Sequence, residues 1–103
     1  MIRIPTNRRA TYPGEVLIKD FLEPLGLTQK ALADALGVPF QRVNEIVAGK
    51  RGITPSTALR LAKFFGNSPA FWLNLQMRVD LQAAFASEAD ALRNIKRAPQ
   101  LMA

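Results

Sequence analysis

The sequence predicts an all-α protein of five helices arranged around a helix-turn-helix. Two observations support this fold class. Apolar residues recur at helical spacing in most segments, and proline or glycine stands at nearly every point where that periodicity changes. No segment alternates polar and apolar residues for long, so we expect no sheet. A chain of 103 residues with 49% hydrophobic content is long enough for one compact domain.

The central pair of helices has recognisable start and stop residues. Thr28 can cap the first helix of the pair, because its hydroxyl can accept a hydrogen bond from an amide of the first turn. That helix ends at Gly37, a residue suited to the left-handed conformation that follows many helices. Only Gly37 and Val38 precede a second periodic segment, which opens at Pro39. Ala33 is small enough for two helices to cross closely, which completes the pattern of a helix-turn-helix.

The second helix of this pair is predicted to have one buried face. At about 100° per residue, Val43, Ile46 and Val47 fall in one sector, with Phe40 at its edge. The other side chains suit base recognition, since arginine pairs with guanine, asparagine and glutamine pair with adenine, and a small apolar group contacts the thymine methyl. The outward-facing and flanking residues are Gln41, Arg42, Asn44, Glu45 and Ala48. A plain solvated helix face is the alternative interpretation.

Three further helices are predicted around this pair. The first runs from Gly14 to about Glu23, where Pro24 stops it. The fourth opens with Thr54 as a cap and Pro55 in its first turn, and it ends at Gly66. Its buried side is predicted to consist of Ala58, Leu59, Leu61, Ala62 and Phe65. The fifth opens at Ser68-Pro69 and runs to about Phe85, and a short terminal helix starts at Ser87. The predicted organisation is a basic arm over residues 1–12, a DNA-binding domain over 13–85, and a terminal helix and tail over 86–103.

The fifth helix is predicted to carry two apolar stripes. The core-facing stripe consists of Phe71, Trp72, Leu75 and Val79. The other stripe consists of Ala70, Leu73, Met77, Leu81 and Ala84. A surface helix of a small domain normally has one apolar stripe, so the second indicates a contact between two copies of the chain. The alternative is that residues 87–97 fold back and cover it within the monomer.

The composition favours a polyanionic partner and excludes several other classes. Fourteen Lys and Arg against eight acidic residues give a formal charge of +6. The chain has no cysteine and no histidine, so we expect no disulfide, metal site, cofactor or catalytic nucleophile–base pair, and no enzyme. No apolar run approaches the roughly 18 residues that span a bilayer, and the start lacks the apolar core of a signal peptide. We therefore expect a cytoplasmic protein.

Four segments, PGEVL, RVNEIVAGKRGIT, ALRLAKFFG and FWLNLQ, resemble in sequence and order the HigA family of antitoxins. This family belongs to the phage-repressor, or lambda-repressor-like, group of helix-turn-helix proteins, and the resemblance runs from Pro13 to Gln76. It implies a five-helix DNA-binding domain with a C-terminal helical extension used for dimerisation. It further implies a homodimer that binds an inverted repeat in double-stranded DNA of its own operon promoter. The same dimer would silence a HigB-type toxin, a small ribosome-dependent mRNA endonuclease.

The resemblance also assigns roles to individual positions. The base-reading stretch maps onto Phe40, Gln41, Arg42 and Asn44. The phosphate contacts map onto Thr28, Gln29, Lys50 and Arg51. Two positions depart from the family pattern: Pro39 stands where serine or threonine usually opens the recognition helix, and Tyr12 stands where a histidine commonly precedes PGEVL. The proline predicts a weaker cap and a more rigid entry to that helix.

The toxin-binding surface is the least specified part of this interpretation. Glu15, Asp20 and Glu23 are spaced for one acidic face of the first helix and are candidate toxin contacts, with a solvated face as the alternative. Because HigB-type toxins tend to be basic, a chain of charge +6 gains little long-range steering toward one. Two rival interpretations are a free-standing repressor with no toxin partner and a protein-interaction module that has lost DNA binding.

Overall fold

The computed structural model describes residues 10–99, and within that range the chain forms five helices and no strand. The all-α fold with five helices is therefore confirmed. Most of the predicted basic arm, with Arg3, Arg8 and Arg9, lies outside the described residues, as does the end of the tail. The first helix, α1, consists of Pro13–Val16, a π-helical segment Leu17–Leu22, and Glu23–Leu25. The others are α2 (Gln29–Leu36), α3 (Phe40–Val47), α4 (Pro55–Phe65) and α5 (Pro69–Arg93).

Side-chain caps open three of these helices, as the sequence predicts. The Thr28 hydroxyl accepts a hydrogen bond from the Ala31 amide at 3.0 Å, and Ser68 caps α5 in the same way. Thr54 caps α4. Gly37 ends α2 with φ of 71°, in the left-handed region that L side chains rarely adopt. The turn of the helix-turn-helix therefore depends on this glycine.

The α3 helix opens without a side-chain cap. Pro39 has an extended backbone (φ −63°, ψ 145°) and is the N-cap residue, so the helix begins at Phe40. The predicted start at Pro39 is off by one residue. No side chain accepts a hydrogen bond from the first turn of α3. The weaker cap expected from proline at this position is confirmed.

The first helix continues past the proline that was expected to stop it. It includes Pro24 and ends at Leu25, followed by Gly26 with φ of 63°. In a regular α-helix the ring of Pro24 would meet the Asp20 carbonyl, and its missing N–H would leave that carbonyl unpaired. The π-helical segment Leu17–Leu22 lies immediately upstream and shifts the hydrogen-bond register, so that Glu23 donates to Ile18. The wider turn lets the helix pass the proline.

The core contains buried residues from all five helices, and Trp72 is the one that α5 contributes. Trp72 is fully buried, and its indole N–H donates to the Asn67 side chain at 3.0 Å. Its ring lies 5.0 Å from the ring of Phe21, which in turn lies 4.7 Å from that of Phe65. The assignment of Trp72 to the core is confirmed. Aromatic residues from α1, α4 and α5 thus join three helices at one point.

Two residues predicted to be buried lie at the surface. Leu59 of α4 is 60% exposed and Phe71 of α5 is 39% exposed. Leu59 lies between the buried Ala58 and Leu61, on the outer edge of the apolar sector of its helix. Phe71 still contacts Trp72 edge to face, with ring centroids 5.0 Å apart, but Trp72 fills the core position next to it.

The fifth helix continues to Arg93 but has a kink at Glu88, where the backbone is not helical (φ −117°, ψ 16°). It therefore consists of two helical segments that meet next to the predicted start at Ser87, with no loop between them. The Ser87 hydroxyl donates back to the Ala84 carbonyl and caps no helix. The molecule is consequently elongated, 53 × 25 × 22 Å. The alternative in which residues 87–97 fold back over the second stripe is wrong, because they are almost all exposed.

The residues just upstream of α1 contact the helices. Ala10 is 7% exposed, and its amide donates to Oε1 of Gln82 on α5 at 2.7 Å. The Tyr12 hydroxyl donates to the Val47 carbonyl at the end of α3 at 3.4 Å. Residues 10–12 therefore pack on the helices. Across residues 10–99, each helix is too short or too polar to span a bilayer.

Candidate nucleic-acid interface

The recognition helix α3 is held from behind by a backbone contact that only glycine permits. A Cβ atom added to Gly14 of α1 would lie 2.0 Å from the carbonyl oxygen of Ile46, far inside van der Waals contact. The inner residues Val43 and Ile46 are 2% and 3% exposed, which confirms the predicted inner face. Close packing on this side fixes the orientation of α3 and leaves its polar side facing solvent.

The outer face of α3 carries the residues predicted to read bases. Gln41 and Asn44 are exposed, Phe40 is 49% exposed at the start of the helix, and Arg42 is half-buried beside them. The arrangement presents amides, a guanidinium and an aromatic ring within two turns of one helix. A helix of this width fits the major groove of B-DNA, which is about 12 Å wide. Their roles in DNA recognition stay predictions.

Asn44 is tied to the other helix of the motif. Its Nδ2 donates to Oε1 of Gln29 in the first turn of α2, at 3.1 Å. Thr28 and Gln29 therefore lie beside the exposed face of α3, as a pair of predicted phosphate contacts should. The remaining N–H groups of Gln29 and the free amides at the start of α2 can meet a phosphate oxygen.

The carboxylate of Glu45, an outward-facing residue to which the sequence assigned no DNA contact, connects both sets of predicted contacts. The Oε1 atom of Glu45 accepts from Nε of Arg51 at 2.9 Å, and its Oε2 accepts from Nε2 of Gln41 at 3.2 Å. The hydrogen bond from Arg51 lowers the pKa of Glu45 below its ordinary value, helped by the charges of Arg51 and Lys50. The four-residue spacing of Gln41 and Glu45 on one helix face was the available signal.

The basic loop after α3 is shaped by backbone hydrogen bonds. The amides of Lys50 and Arg51 both donate to the Glu45 carbonyl, at 2.8 and 3.3 Å, and Gly49 makes the turn with φ of 77°. Oε1 of Gln76 on α5 accepts from the Ile53 amide at 2.8 Å. The side chains of Lys50 and Arg51 are exposed next to the recognition face, where the predicted phosphate contacts require them.

The stripe predicted for a dimer contact is partly used by the monomer. Ala70, Met77 and Ala84 are exposed, whereas Leu73 and Leu81 are half-buried. Leu73 packs against the core of its own chain. Its side chain is therefore turned further toward the core than the helical periodicity predicts. The exposed members leave an apolar surface along α5.

The acidic residues predicted to contact a toxin lie on α1. Glu15 pairs with Lys19 at 3.5 Å, and Asp20 and Glu23 are exposed. Asp20 lies within the π-helical segment, whereas Glu15 and Glu23 lie on either side of it. Their role in toxin binding stays a prediction. Across the described part of the chain, no group of acidic side chains could hold a metal ion.

Comparison with known proteins places this geometry in a family. Residues 18–72 match the helix-turn-helix family. The chain is 51% identical to virulence-associated protein I of Dichelobacter nodosus over 75 residues, which cover 73% of this chain and 69% of that protein. It is 47% identical to antitoxin HigA-1 of Vibrio cholerae over 76 residues, 74% of this chain and 71% of that protein.

A solved structure shares the arrangement of helices as well as the sequence. The structure of Pseudomonas aeruginosa antitoxin HigA with the higBA promoter superposes with a TM-score of 0.81 at 38% identity, covering 85% of this chain and 97% of that one. The matched region includes the two helices of the motif and the loop that follows them. The chain belongs to the HigA antitoxin family of helix-turn-helix proteins.

Proposed function

We propose that this protein is the antitoxin of a toxin–antitoxin module and represses its own operon by binding an inverted-repeat operator. The observation that carries the proposal is the exposed face of α3, with Gln41 and Asn44 beside the basic residues Lys50 and Arg51. Amide side chains that can read bases, next to cations that can bind phosphate, form the combination that major-groove recognition uses. Repression then follows from occlusion of polymerase at the promoter.

The family supports the same activity. A relative with 38% identity and the same fold, antitoxin HigA of Pseudomonas aeruginosa, has been solved with the higBA promoter. In this chain, affinity comes largely from phosphate contacts made by Lys50, Arg51, Gln29 and the amides that follow Thr28. Specificity comes from Arg42, together with Phe40, Gln41 and Asn44, at the base edges. This function requires no catalysis, and it places the protein in the cytoplasm with its operator.

A homodimer follows from the shape of such an operator. Two copies read two half-sites about 34–36 Å apart, one turn of the double helix, when the dimer axis coincides with that of the inverted repeat. The exposed residues Ala70, Met77 and Ala84 on α5 provide an apolar surface for the contact, and Leu73 and Leu81 contribute their exposed edges. Sedimentation of the purified chain tests this part, with Met77→Lys expected to shift a dimer toward the monomer.

The proposed toxin partner is a HigB-type mRNA endonuclease. Glu15, Asp20 and Glu23 are the candidate contacts, because an acidic face on α1 offsets locally the basic charge of the whole chain. The overall charge of +6 favours a second candidate function, a free-standing repressor, since it provides little attraction for a basic toxin. Co-purification with the product of the neighbouring gene separates the two.

A gel shift on the DNA upstream of the gene tests the DNA-binding half directly. We expect the chain to retard this duplex at concentrations that leave a shuffled duplex of the same length and composition free. Equal retardation of both duplexes would contradict an operator. A repeat with the co-purified complex shows whether the proposed toxin changes operator affinity.

A further inference from the structure

Glu45 lies between the two kinds of predicted DNA contact. Its carboxylate is negative, which disfavours contact with phosphate, and each of its oxygens accepts a hydrogen bond from the same chain. One oxygen accepts from Nε of Arg51 at 2.9 Å and the other from Nε2 of Gln41 at 3.2 Å. The charge is therefore neutralised by an arginine of the same chain, and one N–H of the Gln41 amide is committed.

The commitment of that N–H fixes what Gln41 can offer to a base. With its nitrogen turned toward Glu45, the amide keeps one acceptor, Oε1, and one remaining N–H. Adenine presents one donor, N6, and one acceptor, N7, which match this pair. Guanine presents two acceptors, O6 and N7, and satisfying both would require the N–H that Glu45 holds.

We propose that Glu45 is a positioning residue that sets base specificity by holding the Gln41 amide in the orientation that reads adenine and rejects guanine. The inference rests on the proposed base-reading role of α3. In the free protein the hydrogen bond between Gln41 and Glu45 is solvated, but on DNA both side chains lose water, which strengthens the bond and raises the free-energy cost of breaking it. The discrimination between adenine and guanine therefore arises in the complex with DNA.

The contact with Arg51 has a separate consequence. Glu45 uses only Nε of the guanidinium, which leaves the terminal nitrogens of Arg51 for a phosphate. Removal of Arg51 should therefore weaken binding to every sequence while leaving the Gln41 orientation in place. This difference provides the matched control: Arg51→Ala changes affinity, whereas Glu45→Ala changes preference.

The test is selection of bound duplexes from a random pool, carried out with the full chain and five variants: Glu45→Ala, Glu45→Gln, Gln41→Ala, Arg51→Ala and the double variant Gln41→Ala/Glu45→Ala. We expect the wild-type motif to contain an adenine whose preference Gln41→Ala abolishes. At that position alone, Glu45→Ala should lower the preference for adenine over guanine about five- to tenfold. It should add nothing in the Gln41→Ala background.

The selection distinguishes failure of the proposed function from failure of the role proposed for Glu45. If the wild-type chain enriches no motif, the proposed function is wrong. If it enriches a motif but Glu45→Ala keeps the same base preference at the Gln41 position, or that position is guanine in the wild type, the role of Glu45 is wrong. Thermal unfolding of each variant accompanies the selection, and Glu45→Gln, which keeps one acceptor oxygen, is expected to show an intermediate preference.

Discussion

The Nδ2 amide of Asn44 donates a hydrogen bond to Oε1 of Gln29 at 3.1 Å, and this contact joins the exposed sides of the two motif helices. Asn44 lies on the exposed face of α3 that is proposed to read bases, and Gln29 lies in the first turn of α2, where a phosphate contact is proposed. A side chain proposed to contact a base is thus positioned by one proposed to contact a phosphate. The two kinds of contact should act together on operator affinity.

A double-mutant cycle at this pair should show coupling. Gln29→Ala and Asn44→Ala each weaken operator binding, because each removes a DNA contact and frees its partner. The double variant should lose less than the sum of the two, by about 0.5–1.5 kcal/mol, the usual net worth of one hydrogen bond. Fluorescence anisotropy with labelled operator measures all four dissociation constants. Strictly additive losses would show that the hydrogen bond does not matter on DNA.

Gly14→Ala should destabilise the protein strongly. The added Cβ would lie 2.0 Å from the Ile46 carbonyl oxygen, so α1 and α3 must separate. Overpacking of this kind costs about 1–3 kcal/mol of unfolding free energy, and more where backbone must move. Urea unfolding followed by circular dichroism measures it.

Gly52→Ala is the matched control for that substitution. Its Cβ would approach only the end of the Gln76 side chain, at 3.1 Å, and a shift of a few tenths of an ångström, which strains the hydrogen bond from the Ile53 amide, relieves the contact. We expect a smaller loss than for Gly14→Ala. An equal loss in both variants would contradict a special role for the α1–α3 contact.

The Glu45 carboxylate should make stability depend on pH only in acid. The folded-state pKa is lowered by Arg51, so the ionised form stabilises the fold above the ordinary pKa of 4.5, and that contribution disappears as pH falls through the lowered value. The melting temperatures of the wild type and Glu45→Gln should differ by a constant amount between pH 6 and about pH 5, and converge below it. A difference that persists at the lowest pH would contradict the ion pair.

Lys50→Ala should reduce the salt dependence of binding. If Lys50 neutralises one phosphate, its loss lowers the slope of log affinity against log salt by about 0.9 per half-site. Lys63→Ala is the control, because Lys63 shares a surface cavity with Leu36, at the end of α2 opposite Gln29. It should leave the slope unchanged, whereas a similar change in both variants would indicate a nonspecific charge effect.

The sequence predicted the elements whose boundaries depend on local chemistry. Thr28 and Ser68 as caps and Gly37 as a left-handed stop all follow from the residue and its immediate neighbours, and the structure confirms each of them. The passage of α1 beyond Pro24 was not predictable in this way. It depends on a π-helical register upstream of the proline, which no spacing of apolar residues indicates.

The sequence predicted which residues lie at the candidate site but not which hydrogen bonds join them. A helical wheel places Gln41 and Asn44 on the outer face correctly, because it needs only the 3.6-residue period. It cannot show that Glu45 pairs with Arg51 across the turn at Gly49, since that contact depends on how the loop folds. The same applies to the hydrogen bond between Asn44 and Gln29, residues 15 apart in sequence.

The central claim is that the outer face of α3 reads bases while the loop after it binds phosphate. The most direct measurement is the ratio of specific to nonspecific dissociation constants for Arg42→Ala and Asn44→Ala, on the operator and on a shuffled duplex at one salt concentration. Each variant should lose about 1–3 kcal/mol on the operator and much less on the shuffled duplex. Equal losses on the two duplexes would contradict base reading by α3.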